Sequence, residues 1–370
     1  MNLSYWEYKT WLSNIDFTVV GSGIVGLNCA LYLKDKFPTA KILVLEKGVL
    51  PQGASTKNAG FACFGSISEI LADLRHYSEE EVTGLVKKRW DGVQLLRNNL
   101  GDSNIDFQNH GGHELFLEND IELYGDCLEK LDTINQLLMP VFGKSSFRLE
   151  PNTFRFNKIQ ENYITNPFEA QLDTGKMMSN LLQLVQKKGV TILNSISVDG
   201  FSENRDNVAV KTNHFEFRTK KLLVATNGFA SQLLDENLKP ARAQVLITKP
   251  IKQLHIKGTF HLDEGYYYFR NIDDRILLGG GRNLDFKGEE TIEFKETDLI
   301  QKQLEKMLGE IILPDISFEV ERRWSGIMGI GPKKTPIVKQ ISNNVFCGVR
   351  LGGMGIAIGS LVGKELADLV

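Results

Sequence analysis

The sequence predicts an α/β fold in which a parallel-sheet domain is interrupted by an inserted, strand-rich α+β lobe. Three observations support this prediction. Residues 17–47 follow the pattern strand, glycine turn, helix, strand. Residues 243–279 contain several short runs rich in β-branched and aromatic residues, which are typical of strands. Residues 345–370 return to strand, glycine loop and helix, so both ends of the chain predict the same kind of layer.

The first βαβ unit carries a dinucleotide-binding pattern. Gly21, Gly23 and Gly26 form G-x-G-x-x-G directly after an apolar strand, and Glu46 follows the next strand. In such a Rossmann-like unit the first glycine permits a tight turn, the second lets the backbone approach a pyrophosphate, and the third lets the helix pack on the strand. The helix N-terminus attracts phosphate, and Glu46 is expected to accept hydrogen bonds from a ribose. The alternative is a glycine turn that serves packing alone.

The length of 370 residues favours two lobes. We assign residues 1–85, 150–232 and 325–370 to a discontinuous Rossmann-like nucleotide-binding domain. Residues 86–149 and 233–324 are assigned to an inserted, sheet-rich substrate-binding domain. Ligands commonly bind in the cleft between two such lobes.

Helices are expected over residues 68–100, 119–138 and 171–188, and the second of these should end before Pro140. Strands are expected at the following positions: 113–117, 189–193, 208–211, 221–228, 243–248, 266–269 and 276–279.

Composition and charge exclude several classes of function. A net charge of −3 gives no reason to expect a nucleic-acid partner. The charged runs at residues 78–81 and 86–89 are expected to be solvated helix faces. The cysteines are far apart and are expected to be buried, reduced thiols rather than metal ligands or disulfide partners: Cys29, Cys63, Cys127 and Cys347. No metal site is predicted.

The N-terminus is polar and aromatic, without the pattern of a secretory signal. No apolar run reaches the length of a transmembrane helix. We therefore expect a cytoplasmic protein with no transmembrane segment, and a homo-oligomer stays open.

Several further segments occur in a characteristic order along the chain. Residues 53–60 read GASTKNAG and are followed by these segments: 225–228 (ATNG), 240–244 (PARAQ), 279–282 (GGGR), 323–326 (RWSG) and 352–355 (GGMG) before a final helix. Together with the first βαβ unit they resemble the flavin-dependent amino-acid and amine oxidase superfamily, which includes D-amino acid oxidase, glycine oxidase and sarcosine oxidase. The resemblance covers nearly the whole chain.

The resemblance implies an FAD cofactor. Residues 327–329, which match a position where some relatives tether flavin through cysteine, contain none, so FAD is expected to bind non-covalently. The glycines before the final helix would direct N–H groups at the N1–C2=O edge of the flavin. The predicted cofactor-binding residues are Gly21, Gly23, Ile24, Val25, Gly26, Glu46, Lys47, Ser55, Thr56, Asn58, Ala59, Gly60, Phe61, Val198, Asn227, Gly228, Gly353, Met354, Gly355 and Ile356.

The substrate site is less well defined by the resemblance. Relatives that act on amino acids usually hold the substrate carboxylate with arginine, but Met328 and Gly353 stand at the two usual positions. Arg270, Arg282 and Arg350 are the alternative anchors, and each could instead form a structural ion pair.

Three other residues are candidates for the catalytic region. Tyr266 and Tyr268 alternate along a predicted strand and could line the pocket over the flavin or simply pack in the core. Lys57, in the flavin loop, could stabilise the reduced cofactor or superoxide during reoxidation. The six histidines are scattered through the sequence and are expected to be structural.

The function implied by the resemblance is oxidation of the C–N bond of an amino acid or a secondary amine, with hydride transfer to flavin N5 (enzyme class EC 1.4 or 1.5). The electron acceptor would be O2 or a quinone. One alternative is an FAD-dependent 2-hydroxy-acid dehydrogenase, and another is a flavoprotein subunit without independent turnover. An RNA-modifying flavoprotein is disfavoured, because the chain lacks a basic patch.

Overall fold

The structure, a computed structural model that describes residues 2–370, divides its strands among two large sheets and one small one. The first sheet contains β1 (Ile15–Val20), β2 (Ile42–Leu45), β8 (Thr191–Leu193), β9 (Val198–Glu203), β10 (Val208–Thr212), β11 (Glu216–Val224), β17 (Ile337–Gln340) and β18 (Val345–Val349). The second contains β4 (Gly112–Glu114), β5 (Arg148–Pro151), β6 (Asn162–Asn166), β12 (Lys239–Thr248), β13 (Thr259–Leu262), β14 (Tyr267–Ile272), β15 (Arg275–Gly280) and β16 (Val320–Ile330). The small sheet pairs β3 (Phe61–Ala62) with β7 (Ala170–Gln171).

The α-helices of the described residues are mostly amphipathic and cover these sheets. They are α1 (Tyr5–Glu7), α2 (Ile24–Lys36), α3 (Ile67–Leu74), α4 (Glu79–Leu100), α5 (Asp102–Ile105), α6 (Ile121–Phe142), α7 (Thr174–Lys187), α8 (Asp298–Met307) and α9 (Gly355–Asp368).

The first sheet has a parallel centre because its strands are apolar on both faces. β1 pairs in parallel with β2 and β11, and β18 pairs in parallel with β11. Alternate residues of these strands enter two different hydrophobic clusters, one on each side of the sheet. Helices α2 and α9 pack against each other on one side, where Gly363 of α9 leaves no room for a side chain beside Asn28 and Val25. The predicted α/β, Rossmann-like fold is confirmed.

The second sheet is mostly antiparallel and encloses its own core. Its order is β16-β12-β15-β14-β13-β4-β6-β5, and only β13 and β4 pair in parallel. Phe260 and Phe269 stack with ring centroids 4.5 Å apart at the centre of this core. β5 and β6 pair with one another and join β4, while β16 pairs with β12 along its length. The predicted boundaries at residues 150 and 325 therefore cut across this sheet.

Two predicted helix boundaries differ from the structure. The predicted helix at 68–100 is two helices, because Ser78 and Glu81 form a capping box that begins α4 anew. Helix α6 was expected to end before Pro140 but continues to Phe142. Proline removes one N–H donor in the last turn, and Gly143 then ends the helix with φ 71° and donates its N–H to Met139 O at 2.8 Å.

The charged run at 86–89 is not a uniformly solvated face, so that prediction was wrong for Arg89. Lys87 and Lys88 are exposed and pair with Asp91 and Glu365. Arg89 is only 5% exposed. It falls within the buried stripe of α4, which has helical spacing and consists of Val82, Val86, Arg89, Val93 and Leu96.

All four cysteines are buried and free, as predicted. Burial raises the pKa of the Cys29 thiol, which keeps it protonated at neutral pH. Within residues 2–370, none of the helices combines the length and the apolar character that a membrane span requires.

Two glycines of α4 provide a matched stability test. A Cβ at Gly92 would overlap Ala357 O of α9, whereas a Cβ at Gly84 meets no atom within 4 Å. Gly92→Ala should destabilise the fold by about 1–3 kcal/mol because α4 and α9 must separate. Gly84→Ala should instead stabilise it by about 0.5–1 kcal/mol, since glycine is unfavourable inside a helix.

Urea unfolding of the two variants beside the parent chain measures both effects. Equal stability of the Gly92→Ala and Gly84→Ala variants would contradict the close packing of α4 on α9.

Candidate active site

One large cavity lies between the two sheets. Its volume is about 1550 Å³, which exceeds the roughly 300–1,000 Å³ typical of a site for one small ligand. Three glycine-rich segments line it on the side of the first sheet, and strands β12 to β15 contribute to the other side. The cavity therefore has room for a dinucleotide together with a second, smaller molecule.

The first glycine segment is the turn from β1 to α2. Gly21 has φ +102°, and a Cβ there would stand 2.9 Å from Ala225 O. A Cβ at Gly26 would overlap Gly21 O, so α2 packs directly on the turn. Helix α2 begins after Gly23 without a side-chain cap of its own, and Ile24 N–H donates to Ser55 Oγ at 2.9 Å. The positive end of α2 faces the cavity.

Glu46 is held rigidly at the edge of the cavity. Its Oε2 accepts hydrogen bonds from Ser22 N–H and Ser22 Oγ, at 3.1 and 2.7 Å, and its Oε1 accepts one from Gly48 N–H at 2.9 Å. The carboxylate is thereby oriented by backbone groups on both sides. Gln52 N–H makes a fourth, longer contact with Oε1 at 3.5 Å, so groups of the chain approach all of the roughly four lone-pair sites of the carboxylate. The ribose contact stays a prediction.

The second glycine segment, residues 53–60, is organised from within by Asn58. The Asn58 amide donates to Ala54 O and Ser55 O, and its Oδ1 accepts from Gly60 N–H at 2.8 Å. Thr56 Oγ1 donates to Pro51 O at 2.6 Å. These hydrogen bonds shape the loop, and the predicted contacts of Asn58 and Thr56 with flavin stay predictions.

The third glycine segment precedes α9. A Cβ at Gly355 would meet nothing within 4 Å, and one at Gly353 would have only Met328 Sδ, at 3.9 Å. These two positions therefore border open space. Asn227 Oδ1 accepts from Leu351 N–H at 3.1 Å and ties this loop to the end of β11. The N-termini of α2 and α9 thus open onto the same cavity.

Polar side chains form a row across the second sheet and face the first. The backbone register places Glu114 of β4 beside His261 of β13, and His261 beside Tyr268 of β14. Gly279 follows on β15, where a side chain would strike the Tyr268 ring. His261 and Tyr268 line the cavity, and Phe61 contacts both with ring centroids 5.4 and 5.6 Å away.

Two carboxylates next to His261, Glu114 of this row and Glu169, are buried. His261 Nε2 is 3.3 Å from Glu169 Oε2, and both side chains are buried. Burial alone lowers the pKa of His261, but Glu169, with Glu69 and Glu114, outweighs burial, and the His261 pKa is raised. Glu114 accepts hydrogen bonds from Ser66 Oγ, Ser68 N–H and Ser68 Oγ, and burial still raises its pKa to about 7.

Sequence reasoning missed this cluster because the histidines were scattered along the chain. A signal was nevertheless present. His261 lies between the core residues Phe260 and Leu262, so strand alternation directs it away from that core.

The arginines predicted as carboxylate anchors have other partners. Arg270 does not line the cavity, and its Nη1 donates to Ala59 O, Gly60 O and Leu172 O. Burial lowers its pKa to about 10. Arg350 lines the cavity but donates to Thr335 O and Asn237 O. The guanidinium carbon of Arg282 lies 4.8 Å from the centre of the Phe286 ring.

The remaining catalytic candidates border the cavity. Tyr266 and Tyr268 both line it, while Tyr267 between them enters the core of the second sheet. Burial raises the pKa of Tyr268 to about 12, so its hydroxyl stays protonated. Lys57 also lines the cavity; its Nζ lies 5.3 Å from the Phe294 ring centre, and its carbonyl accepts from Trp324 Nε1.

Most of the predicted cofactor-binding residues come together in this one cavity. Those that line it are Gly21, Gly23, Ile24, Val25, Glu46, Lys47, Ser55, Asn58, Ala59, Phe61, Val198, Asn227, Gly353, Met354, Gly355 and Ile356. Gly26, Thr56, Gly60 and Gly228 lie behind its surface. Gly26 and Gly228 pack against backbone there, where a Cβ would overlap a carbonyl oxygen.

Comparison with known proteins agrees with this geometry. The sequence profile described as "FAD dependent oxidoreductase" matches residues 16–369. The chain belongs to the FAD-dependent oxidoreductase family. It is 21% identical to the probable oxidoreductase OrdL of Haemophilus influenzae, over 98% of this chain and 84% of that one. It is 22% identical to the γ-glutamylputrescine oxidoreductase of Escherichia coli, over 96% and 83%.

A solved structure shows the same fold. The iminodiacetate oxidase of Chelativorans superimposes with a TM-score of 0.77 at 18% identity, over 95% of this chain and 94% of that one. Similarity at this level of identity concerns the fold, and the activity must be argued from the site.

The residues present fit the cofactor of the family. Two helix N-termini whose own N-cap residues make no side-chain cap, at α2 and α9, suit a pyrophosphate and an electron-rich ring edge. Gly353 and Gly355 leave open space where side chains would intrude. Val198 and Ile196 add apolar surface beside Glu46, at the end of the cavity suited to adenosine.

Replacement of Gly23 tests the glycine cradle. A Cβ at Gly23 would stand 3.0 Å from Ser55 Oγ, and the larger valine side chain would occupy the phosphate end of the cavity. We expect Gly23→Val to fold but to lose at least about 90% of its flavin, because the backbone of the turn cannot approach a pyrophosphate past a bulky side chain. The ratio of flavin to protein absorbance after reconstitution with FAD measures this, with Gly84→Ala as control. Full flavin occupancy in the Gly23→Val variant would contradict the assignment.

Glu114 predicts a specific pH dependence of stability. Its pKa is about 7 in the folded chain and near 4.5 when unfolded, so the folded state binds more protons between these values. Stability from this group is therefore greatest below pH 4.5 and is lost as pH rises towards 7, by roughly 3 kcal/mol in total. Glu114→Gln should remove this contribution.

Urea unfolding of the parent and of Glu114→Gln at pH 5 and pH 8 shows how the free energy of unfolding changes with pH in each protein. The same change in unfolding free energy between the two pH values in both proteins would show that Glu114 is not protonated by burial.

Proposed function

We propose that this protein oxidises the carbon–nitrogen bond of a small amino acid or amine, with FAD bound non-covalently as its cofactor. One observation carries the proposal. The glycine cradle of the first sheet and the neighbouring side chains of His261 and Tyr268 on the second sheet line a single cavity. Flavin in such a cradle supplies a hydride acceptor, and the opposing sheet supplies the surface on which a substrate is positioned.

The chain's own residues have three tasks in this proposal. The N-termini of α2 and α9, with Glu46, hold the cofactor. Phe61 and Tyr268 form an aromatic wall that restricts the orientation of a small substrate and excludes water. The His261–Glu169 pair, which is buried beside that wall, can hold a proton released from the substrate ammonium group.

The proposed substrate class agrees with the relatives. γ-Glutamylputrescine oxidoreductase and iminodiacetate oxidase are both named for nitrogen-containing substrates. No cysteine occurs at residues 327–329, which supports non-covalent binding. O2 and a quinone are the two candidate electron acceptors, and reoxidation of the reduced flavin by each of them distinguishes the two.

Substrate screening under anaerobic conditions tests the proposed reaction. An amino acid, an N-alkyl amino acid or a secondary amine should bleach the flavin absorbance of the FAD-loaded protein within seconds to minutes. The corresponding 2-hydroxy acids should not. Bleaching by hydroxy acids alone would support the dehydrogenase alternative, and failure of every small molecule would support a subunit role. Precipitation with acid should release all flavin into the supernatant, whereas flavin retained in the pellet would contradict non-covalent binding.

A further inference from the structure

A buried guanidinium without an anionic partner lies at the wall of the active-site cavity. Arg89 is 95% buried, and its Nη1 donates to Phe64 O at 2.7 Å. Its Nε is fully buried and has no hydrogen-bond partner. Within residues 2–370, no carboxylate oxygen lies within ion-pair distance of Arg89. Arginine is almost never buried unless it is paired, and the fold gives Arg89 a single carbonyl partner and leaves its Nε without one.

The cavity is the place from which such an anion can come. Arg89 lines it together with Cys63 and Met354, whose sulfur atoms are 3.5 Å apart. A Cβ at Gly65 would stand only 3.2 Å from Arg89 Nη1, so the glycine leaves space around the guanidinium. The arginine therefore lies at the wall of the cavity and is screened from bulk solvent.

The carboxylate of Glu169 is linked to the guanidinium of Arg89 through the backbone of Phe64. Phe64 accepts from Arg89 through its carbonyl and donates its own N–H to Glu169 Oε1 at 2.9 Å. Glu169 in turn contacts His261. Phe64 therefore connects the buried guanidinium of Arg89 with the buried carboxylate of Glu169. This arrangement is complementary to a ligand that carries a carboxylate and an ammonium group close together.

The other arginines near the cavity do not compete for this role. Arg270 and Arg350 donate to backbone carbonyls, and Arg282 stacks on Phe286. Arg75, which also lines the cavity, is exposed and lies 3.9 Å from a carboxylate oxygen of Asp126. Arg89 alone among the arginines of the described residues has a buried nitrogen without a partner.

We propose that Arg89 binds the carboxylate of the substrate, which makes an amino acid or N-substituted amino acid, rather than a simple amine, the substrate class. The inference rests on the function proposed above and narrows it. A planar guanidinium pairs with the two oxygens of a carboxylate, and such charge-assisted bonds are strongest away from water.

Binding of partial substrates tests Arg89 without requiring turnover. The FAD-loaded protein is titrated with acetate and propionate, and separately with methylamine, while calorimetry and the visible flavin spectrum report binding. Arg89→Gln retains an N–H for Phe64 O but not the charge. It should weaken the binding of the carboxylates about 10- to 100-fold, because hydrogen bonds to charged groups contribute that much, and leave methylamine binding unchanged. Lys88→Gln, at the adjacent exposed position of α4, is the matched control and should change neither.

Arg89→Lys provides a second variant if the glutamine variant does not fold. It keeps the charge but not the planar pair of donors, and carboxylate affinity should fall between that of the parent and that of Arg89→Gln. With an amino acid that bleaches the flavin, both variants should raise KM more than they lower kcat.

Three results would overturn the inference: unchanged carboxylate affinity in folded Arg89→Gln, no carboxylate binding by the parent protein, or loss of FAD from folded Arg89→Gln, which would assign Arg89 to the cofactor. Absence of turnover with any amine or amino acid contradicts the proposed function instead and leaves the carboxylate titration interpretable.

Discussion

Close backbone contact at positions without side chains is the constraint on which the rest of the structure depends. Gly26 brings α2 onto the turn at Gly21, and Gly363 brings α9 onto α2. Gly92 then brings α4 onto α9. These contacts fix three helices relative to the first sheet, and they set the N-termini of α2 and α9 around one cavity. A side chain at any of these crossings would separate the two positive helix ends that a dinucleotide needs.

The two sides of the cavity differ in the chemistry that they can perform. The first sheet presents backbone N–H groups and small residues, which suit phosphates and the edge of a planar ring. The second sheet presents titratable side chains in register, and the carboxylates Glu114 and Glu169 next to His261 are buried. Burial raises the pKa of Glu114 to about 7, so a substantial fraction of this side chain is protonated at neutral pH, which limits the repulsion between the two acids. In the proposed function, the second sheet would hold protons close to the substrate while the first would hold the cofactor.

The buried arginines differ in whether the fold supplies partners for all of their nitrogen atoms. Arg242 is buried but forms a bidentate ion pair with Glu289, and Arg270 is surrounded by carbonyl oxygens. Both are satisfied by the fold. Arg89 differs because its burial is accompanied by an unpartnered nitrogen at the cavity wall. These arginines differ in their hydrogen-bond partners and not in their burial. Residue type and hydrophobicity alone therefore could not distinguish Arg89 from the other two.

The sequence by itself determined the parallel-sheet domain, the glycine turn and the order of segments that marks the family. These features depend on local patterns: apolar runs, glycines at fixed spacing, and Glu46 one strand later. Helix ends were less predictable, since Pro140 lies inside α6 where the last turn tolerates a missing donor. Only the tertiary structure decided that β5, β6 and β16 belong to the second sheet, and that Arg270 donates to carbonyl oxygens of the loop at residues 53–60. Only it brought together Glu114, Glu169 and His261, and placed Arg89 at the cavity. The physical reason is that hydrogen-bond partners from distant segments decide whether a charged side chain is structural or available, and no local pattern encodes those partners.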